Sequence, residues 1–135
     1  MGHPDAAAAL ERVRALCLAL PEATERASHG APAWFVRRSP QFSIFHDDHH
    51  GDGRLGLWCA APPGAQDGLV HASPDHYYVP AYVGHRGWVG VRLDRGLPWD
   101  DVAAAIEDAY LAVAPPALAE EAVRRAQASA GARLD

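Results

Sequence analysis

The sequence predicts an α+β fold: an antiparallel sheet of about four to six strands packed against two main helices, with an extra C-terminal helix. Three observations lead there. Residues 5–20 place Leu10, Val13, Cys17 and Leu20 on one helical face, with Glu11, Arg12 and Arg14 elsewhere. Residues 34–93 are dominated by short aromatic and β-branched runs punctuated by Gly, Pro, Asp and Ser. Residues 99–114 return to helical spacing, with Val102, Ile106, Ala109, Tyr110 and Val113 recurring on one side. The order α-β-β-β-(α)-β-α sets the first and penultimate helices on one side of the sheet.

In chain order, Asp5 is positioned to cap the first helix and Pro21 ends it. The polar stretch Glu22–Pro32, with Gly30, reads as a turn or short helix. Trp34–Arg38 and Gln41–His46 flank Ser39–Pro40 as a hairpin, and a second break spans Asp47–Gly53. Arg54–Ala60 alternates Leu55, Leu57 and Cys59 with Arg54, Gly56 and Trp58, and completes a three-strand meander. A short helix is expected at Gln66–Ala72, extended chain at Tyr77–Val83, and a half-buried strand at Trp88–Leu93 with its valine face inward. Asp100 or Asp101 caps the helix 99–114, and Pro115–Pro116 breaks it. Residues 1–116 are thus expected to form a single domain. Residues 117–135 form a loosely attached helical extension, because Leu118 and Val123 are the only large apolar residues in 117–130.

Composition narrows the function classes. At 135 residues the chain is one domain, and it can bury roughly two-thirds of its unfolded surface without disulfides or metal. Cys17 and Cys59 fall in a helix and a strand, outside any metal-ligand spacing, and read as buried reduced thiols. No apolar run approaches the ~18 residues of a membrane span, and the N-terminus lacks the pattern of a secretory signal. The expectation is a cytoplasmic protein with no membrane partner. All 12 basic residues are arginine, and against 17 carboxylates they leave a net charge of −5. A dispersed, sequence-blind nucleic-acid binder would be basic. Any anion site must therefore be a local arginine cluster.

Several segments together resemble the MmcQ/YjbR family of small bacterial proteins. They include Leu18-Ala19-Leu20-Pro21-Glu22, Ser28-His29-Gly30, Trp34-Phe35-Val36, Phe42-Ser43-Ile44-Phe45, His49-His50-Gly51-Asp52-Gly53-Arg54 and Leu57-Trp58-Cys59. The most specific piece runs from Tyr82 through Gly84-His85-Arg86-Gly87-Trp88 to Leu93, followed by Trp99-Asp100 and the helix to Ala114-Pro115. The match spans about residues 8–116. The resemblance implies a frataxin-like (CyaY-like) fold and a DNA-binding role through a double wing of hairpins, with no catalytic constellation. Many relatives have a glycine–lysine turn where this chain has Arg37-Arg38-Ser39-Pro40.

Three constellations carry possible chemistry. Arg37 and Arg38 at a hairpin tip, with Arg86 and Arg92 near the second aromatic strand, are candidate nucleic-acid contacts, since guanidinium groups bind phosphate and guanine bidentately. The alternative is that they pair with carboxylates. Tyr82, His85 and Trp88 mark a candidate surface for a protein partner or a small anionic ligand, with core packing of the aromatics as the competing reading. His46-Asp47-Asp48-His49-His50-Gly51-Asp52 holds metal-type donors but reads as a solvated acidic turn without a second shell, so a metal-handling role ranks behind the other two. Gly84–Gly90 lacks the strand–GxxxxGK[ST]–helix context of a nucleotide loop. Ser28 and His29 are adjacent in sequence and do not make a nucleophile–base pair. The sequence therefore points to a non-enzymatic protein without cofactor, binding DNA or, alternatively, a protein or small anion.

Overall fold

The structure is a computed structural model and describes residues 2–134. Its elements are α1 (Ala6–Leu18), β1 (Ala23–Ser28), β2 (Ala31–Val36), β3 (Gln41–Asp47), β4 (Leu55–Cys59), α2 (Ala65–Ala72), β5 (Tyr77–Tyr78), β6 (Val89–Arg92), α3 (Trp99–Val113) and α4 (Pro116–Leu134). The six strands form one antiparallel sheet in the order β1-β2-β3-β4-β6-β5. The α+β architecture expected from the sequence is present.

Residues directly opposite across antiparallel strands share a face. One row is Phe45–Leu57–Val91–Tyr77, and the next is Ile44–Trp58–Gly90–Tyr78. The Cys17 Sγ lies 3.5 Å from Ser43 Oγ, which places α1 on the face of Ser43 and Phe45. Helix α3 runs along β3 and β4 and touches α1. Val13, Cys17, Val102, Ile106 and Tyr110 supply the helical half of the core, as their spacing predicts. The Tyr110 hydroxyl donates to the carbonyl of Pro21 at 2.7 Å, and its ring meets Phe42 edge-on at 5.5 Å.

Three local expectations are corrected. Glu22–Pro32 is neither turn nor helix but β1, the Ser28–Ala31 turn and the start of β2. This strand has no large apolar residue. It is an edge strand whose Glu25 points toward the helix, where it accepts Arg14 Nε (2.7 Å), Arg14 Nη2 (2.9 Å) and the Trp34 indole N–H (2.9 Å). Tyr77–Val83 is extended only at Tyr77–Tyr78, because Pro80 and a left-handed Tyr82 (φ 62°) turn the chain away. The proposed side-chain caps are also absent: Asp5 precedes α1 without a side-chain cap bond, and Pro98 precedes α3. Asp100 and Asp101 lie within the first turn of α3, where their charge favours the helix N-terminus.

Helix α4 buries Leu118 and Ala122, and Arg125 Nη1 donates to the Ala19 carbonyl at 3.1 Å; residues 127–131 are exposed. Residues 1 and 135 of the two expected domain segments lie outside the described residues. No described helix is long and apolar enough to cross a membrane.

Candidate binding pocket

The face that carries Ile44 and Trp58 is floored by two glycines. Tyr78 lies across Gly90, its partner on β6, and reaches over Gly56 on β4. A Cβ at Gly90 would sit 2.5 Å from Tyr78 Cε2 and 2.7 Å from Cδ2, so only glycine admits the ring there. The Tyr78 hydroxyl accepts the Trp58 indole N–H at 3.0 Å. Trp58 is thereby fixed in orientation, and its ring becomes one wall of a pocket.

The pocket has a volume of about 920 Å³. Its walls come from the β1–β2 turn, from Ile44 and His46 on β3, and from Trp58, with His49 and His50 on one side and Tyr82, Val83 and Arg86 on the other. Five rings converge there. His46 packs on Trp58 with centroids 4.1 Å apart, and His49 stands edge-on to Trp58 at 4.8 Å and to Tyr82 at 5.7 Å. His50 meets His49 at 4.1 Å, and its Nε2 lies 3.4 Å from the Tyr82 hydroxyl.

The reading of 46–52 as a solvated turn is therefore corrected: His46 and His49 are half-buried on Trp58. The turn folds inward because Asp48 (φ 60°), His50 (φ 49°), Gly51 (φ 74°) and Gly53 (φ 72°) adopt left-handed backbone. Its acids are tied locally, with Asp48 Oδ1 accepting from Gly53 N and Asp52 Oδ1 from Arg54 N. No group of three or more His, Cys, Asp or Glu among the described residues is arranged to hold a metal ion.

Burial, reinforced by His49, pushes the His46 imidazole down to about 4; burial and then His50 lower His49 as well. Both rings are neutral at pH 7. Between the ordinary value of 6.5 and about 4 the unfolded chain binds a proton at His46 that the folded chain refuses. The His46 contribution is thus flat above neutrality, and stability falls on acidification by on the order of 2 kcal/mol. His3 has the opposite sign. Its bond to Asp47 raises its pKa, so its contribution is complete below 6.5 and is lost as pH rises through the raised value. Urea unfolding at pH 7, 6 and 5 checks this: His46→Gln flattens the acid limb, and an unchanged slope contradicts the assignment.

The charges at the pocket are unequal. Asp47, the carboxylate in its wall, is occupied by His3, whose backbone N–H donates to Oδ1 (2.9 Å) and Oδ2 (3.1 Å) and whose Nδ1 is 2.7 Å from Oδ1. Arg86 lies 5.2 Å over the Trp88 ring and makes no ion pair among the described residues. The segment that carries it is anchored by Gln66 of α2, whose Nε2 donates to the carbonyls of Gly84 (2.8 Å) and Trp88 (2.6 Å).

The other residues singled out from the sequence are dispersed. Arg37 is exposed at the β2–β3 turn and pairs with both Glu22 oxygens, at 3.0 and 3.1 Å. Arg38 is exposed beside it, and its carbonyl accepts from Arg26, a basic neighbour on β1 that sequence reading did not find. Arg92 is largely buried and is held by Asp94 through Nε (3.0 Å) and Nη2 (2.8 Å). Tyr82 is 70% exposed at the pocket mouth, Trp88 is buried beneath Arg86, and His85 is exposed on a 3-10 turn outside the pocket lining.

Fold and site together define a small α+β domain, an open six-stranded antiparallel sheet with α1 and α3 packed on one face and an aromatic pocket beside β3. The YjbR family model matches residues 18–112, and the chain belongs to that family. The crystal structure of Deinococcus radiodurans protein DR2400, with the family-model domain DUF419, is similar with a TM-score of 0.64 and 19% identity. The similarity covers 76% of this chain and 75% of that one, and it is a likeness of fold. Comparison with curated proteins gave no match. The resemblance read from the motifs and the expected fold class are both confirmed.

Proposed function

We propose that this protein binds a small organic anion in the pocket and that its role is binding rather than catalysis. The observation that carries the reading is Arg86, an exposed arginine on the lining of a concave, ring-lined site that makes no ion pair among the described residues, while the wall carboxylate Asp47 is occupied by His3. Pockets of this size with a few placed polar groups are the usual form of small-molecule sites. A guanidinium offers paired donors to a carboxylate or phosphate. The DNA reading draws less support. Arg37 and Arg92 are held in bidentate ion pairs, and Arg37 and Arg38 sit at the Gln41 end of β3. His46 and the following histidines lie toward its far end, roughly 20 Å away for a seven-residue strand.

Thermal unfolding with millimolar hexyl phosphate or 1-naphthyl phosphate tests the proposal. At least one of them raises the melting temperature, and Arg86→Ala weakens that binding by about tenfold or more, the usual cost of a lost charged hydrogen bond. If neither compound shifts the transition, the reading is wrong. Salt-sensitive retention of duplex DNA that is lost in Arg38→Ala would favour the nucleic-acid alternative.

A further inference from the structure

The lining of the pocket specifies more than charge. Tyr82 and His50, on opposite sides of the mouth, both adopt left-handed backbone, with φ of 62° and 49°. For a bulky residue such as Tyr82 that conformation is an outlier that the surrounding structure must hold in place, and such strain concentrates at ligand clamps. Here it brings the Tyr82 hydroxyl to 3.4 Å from His50 Nε2, so that the two side chains meet over the pocket. The Tyr82 residue stays 70% exposed, although it is a large aromatic residue. Behind it, His49 and His46 stand against Trp58 with centroids 4.8 and 4.1 Å from the indole.

We propose that the ligand is a planar aromatic ring bearing one acidic group, with the ring packed against the Tyr82, His46, His49 and Trp58 side chains that line the pocket and the acid on Arg86. This rests on the reading of the pocket as an anion site. Aromatic faces and edges attract one another beyond what area burial supplies, and ring-lined walls therefore favour a flat aryl group over a flexible chain of equal size. The uncharged state of His46 and His49 at pH 7 supports the division of labour, with Arg86 the arginine among the lining residues that takes the acid. Tyr82 supplies the outer face, and His50 sets its position.

Calorimetric titration of the full chain with 1-naphthyl phosphate and with hexyl phosphate tests the ring preference separately from the anion site. The expected result is at least tenfold tighter binding of the naphthyl compound. In Tyr82→Asn, which tolerates the left-handed backbone without the ring, that ratio falls toward one because the naphthyl compound loses more affinity than hexyl phosphate does. His50→Asn reduces the ratio in the same direction. Equal affinities in the unsubstituted protein, or a ratio that survives Tyr82→Asn, overturn the proposed ring clamp and leave the anion site standing. Binding of neither compound overturns both.

Discussion

Trp34→Ala is expected to destabilise the protein by about 3–5 kcal/mol, the cost of emptying a fully buried tryptophan site. Trp34 has no solvent exposure and lies on β2 beside the central strand β3. Its loss also removes the indole N–H from Glu25, a partly buried carboxylate held by Arg14. Arg14 holds the Glu25 carboxyl below its usual range, so the acid remains charged and loses one of its three donors. Domains of this size are stable by about 5–15 kcal/mol, so the variant stands near the edge of folding. Guanidinium unfolding measures this directly. Trp34→Phe, which keeps most of the volume, should cost clearly less, and equal losses in the two variants would contradict the cavity argument.

Gly90→Ala is the second large effect, about 3 kcal/mol, at the upper end of overpacking costs. The added methyl group cannot enter without displacing the Tyr78 ring, which Gly90 opposes on the sheet. Tyr78 in turn holds Trp58 through its hydroxyl. The substitution therefore disturbs the pocket wall as well as the core. Two readouts follow: a lowered unfolding midpoint, and weakened ligand binding in the fraction that remains folded. The double variant Gly90→Ala/Tyr78→Ala should in total cost much less than the sum of the two single changes, because the clash disappears with the ring. Simple additivity of the two would show that the ring and the glycine do not share this space.

How much of this was legible in the sequence follows from which signals are local. Helices α1 and α3 were readable because Val13 and Cys17, and Val102, Ile106 and Tyr110, recur at helical spacing and are all buried. Strands β3, β4 and β6 were readable from Phe42–Phe45, Leu55–Cys59 and Val89–Val91. Strand β1 was not, because Ala-Thr-Glu-Arg-Ala-Ser carries no apolar period and gains its place from pairing with β2 and from Glu25. The arginines were countable but their partners were not. Glu22 reaches Arg37 only because β1 and β2 bring residues fifteen positions apart together.

The pocket was the least legible feature. Three histidines within five residues gave a visible cluster, and its acidity and the lack of a second shell in a short loop made it read as solvated. Its inward turn depends on left-handed backbone at Asp48 and His50 and on the position of Trp58, which is set by Tyr78 over Gly56 and Gly90. The aromatic segment Tyr77–Trp88 divided in the structure. Tyr77, Tyr78 and Trp88 joined the core, and Tyr82 alone of these four remained at the mouth.

The central claim is that the Tyr82–Arg86 segment and the histidine turn form one small-anion site. Backbone amide chemical-shift mapping of the full chain during titration with 1-naphthyl phosphate tests it most directly. The account predicts saturable shifts concentrated at His46, His49, His50, Tyr82, Val83 and Arg86, needing about tenfold more ligand or more in Arg86→Ala. Shifts centred on Arg37 and Arg38, or none at millimolar ligand, would contradict it.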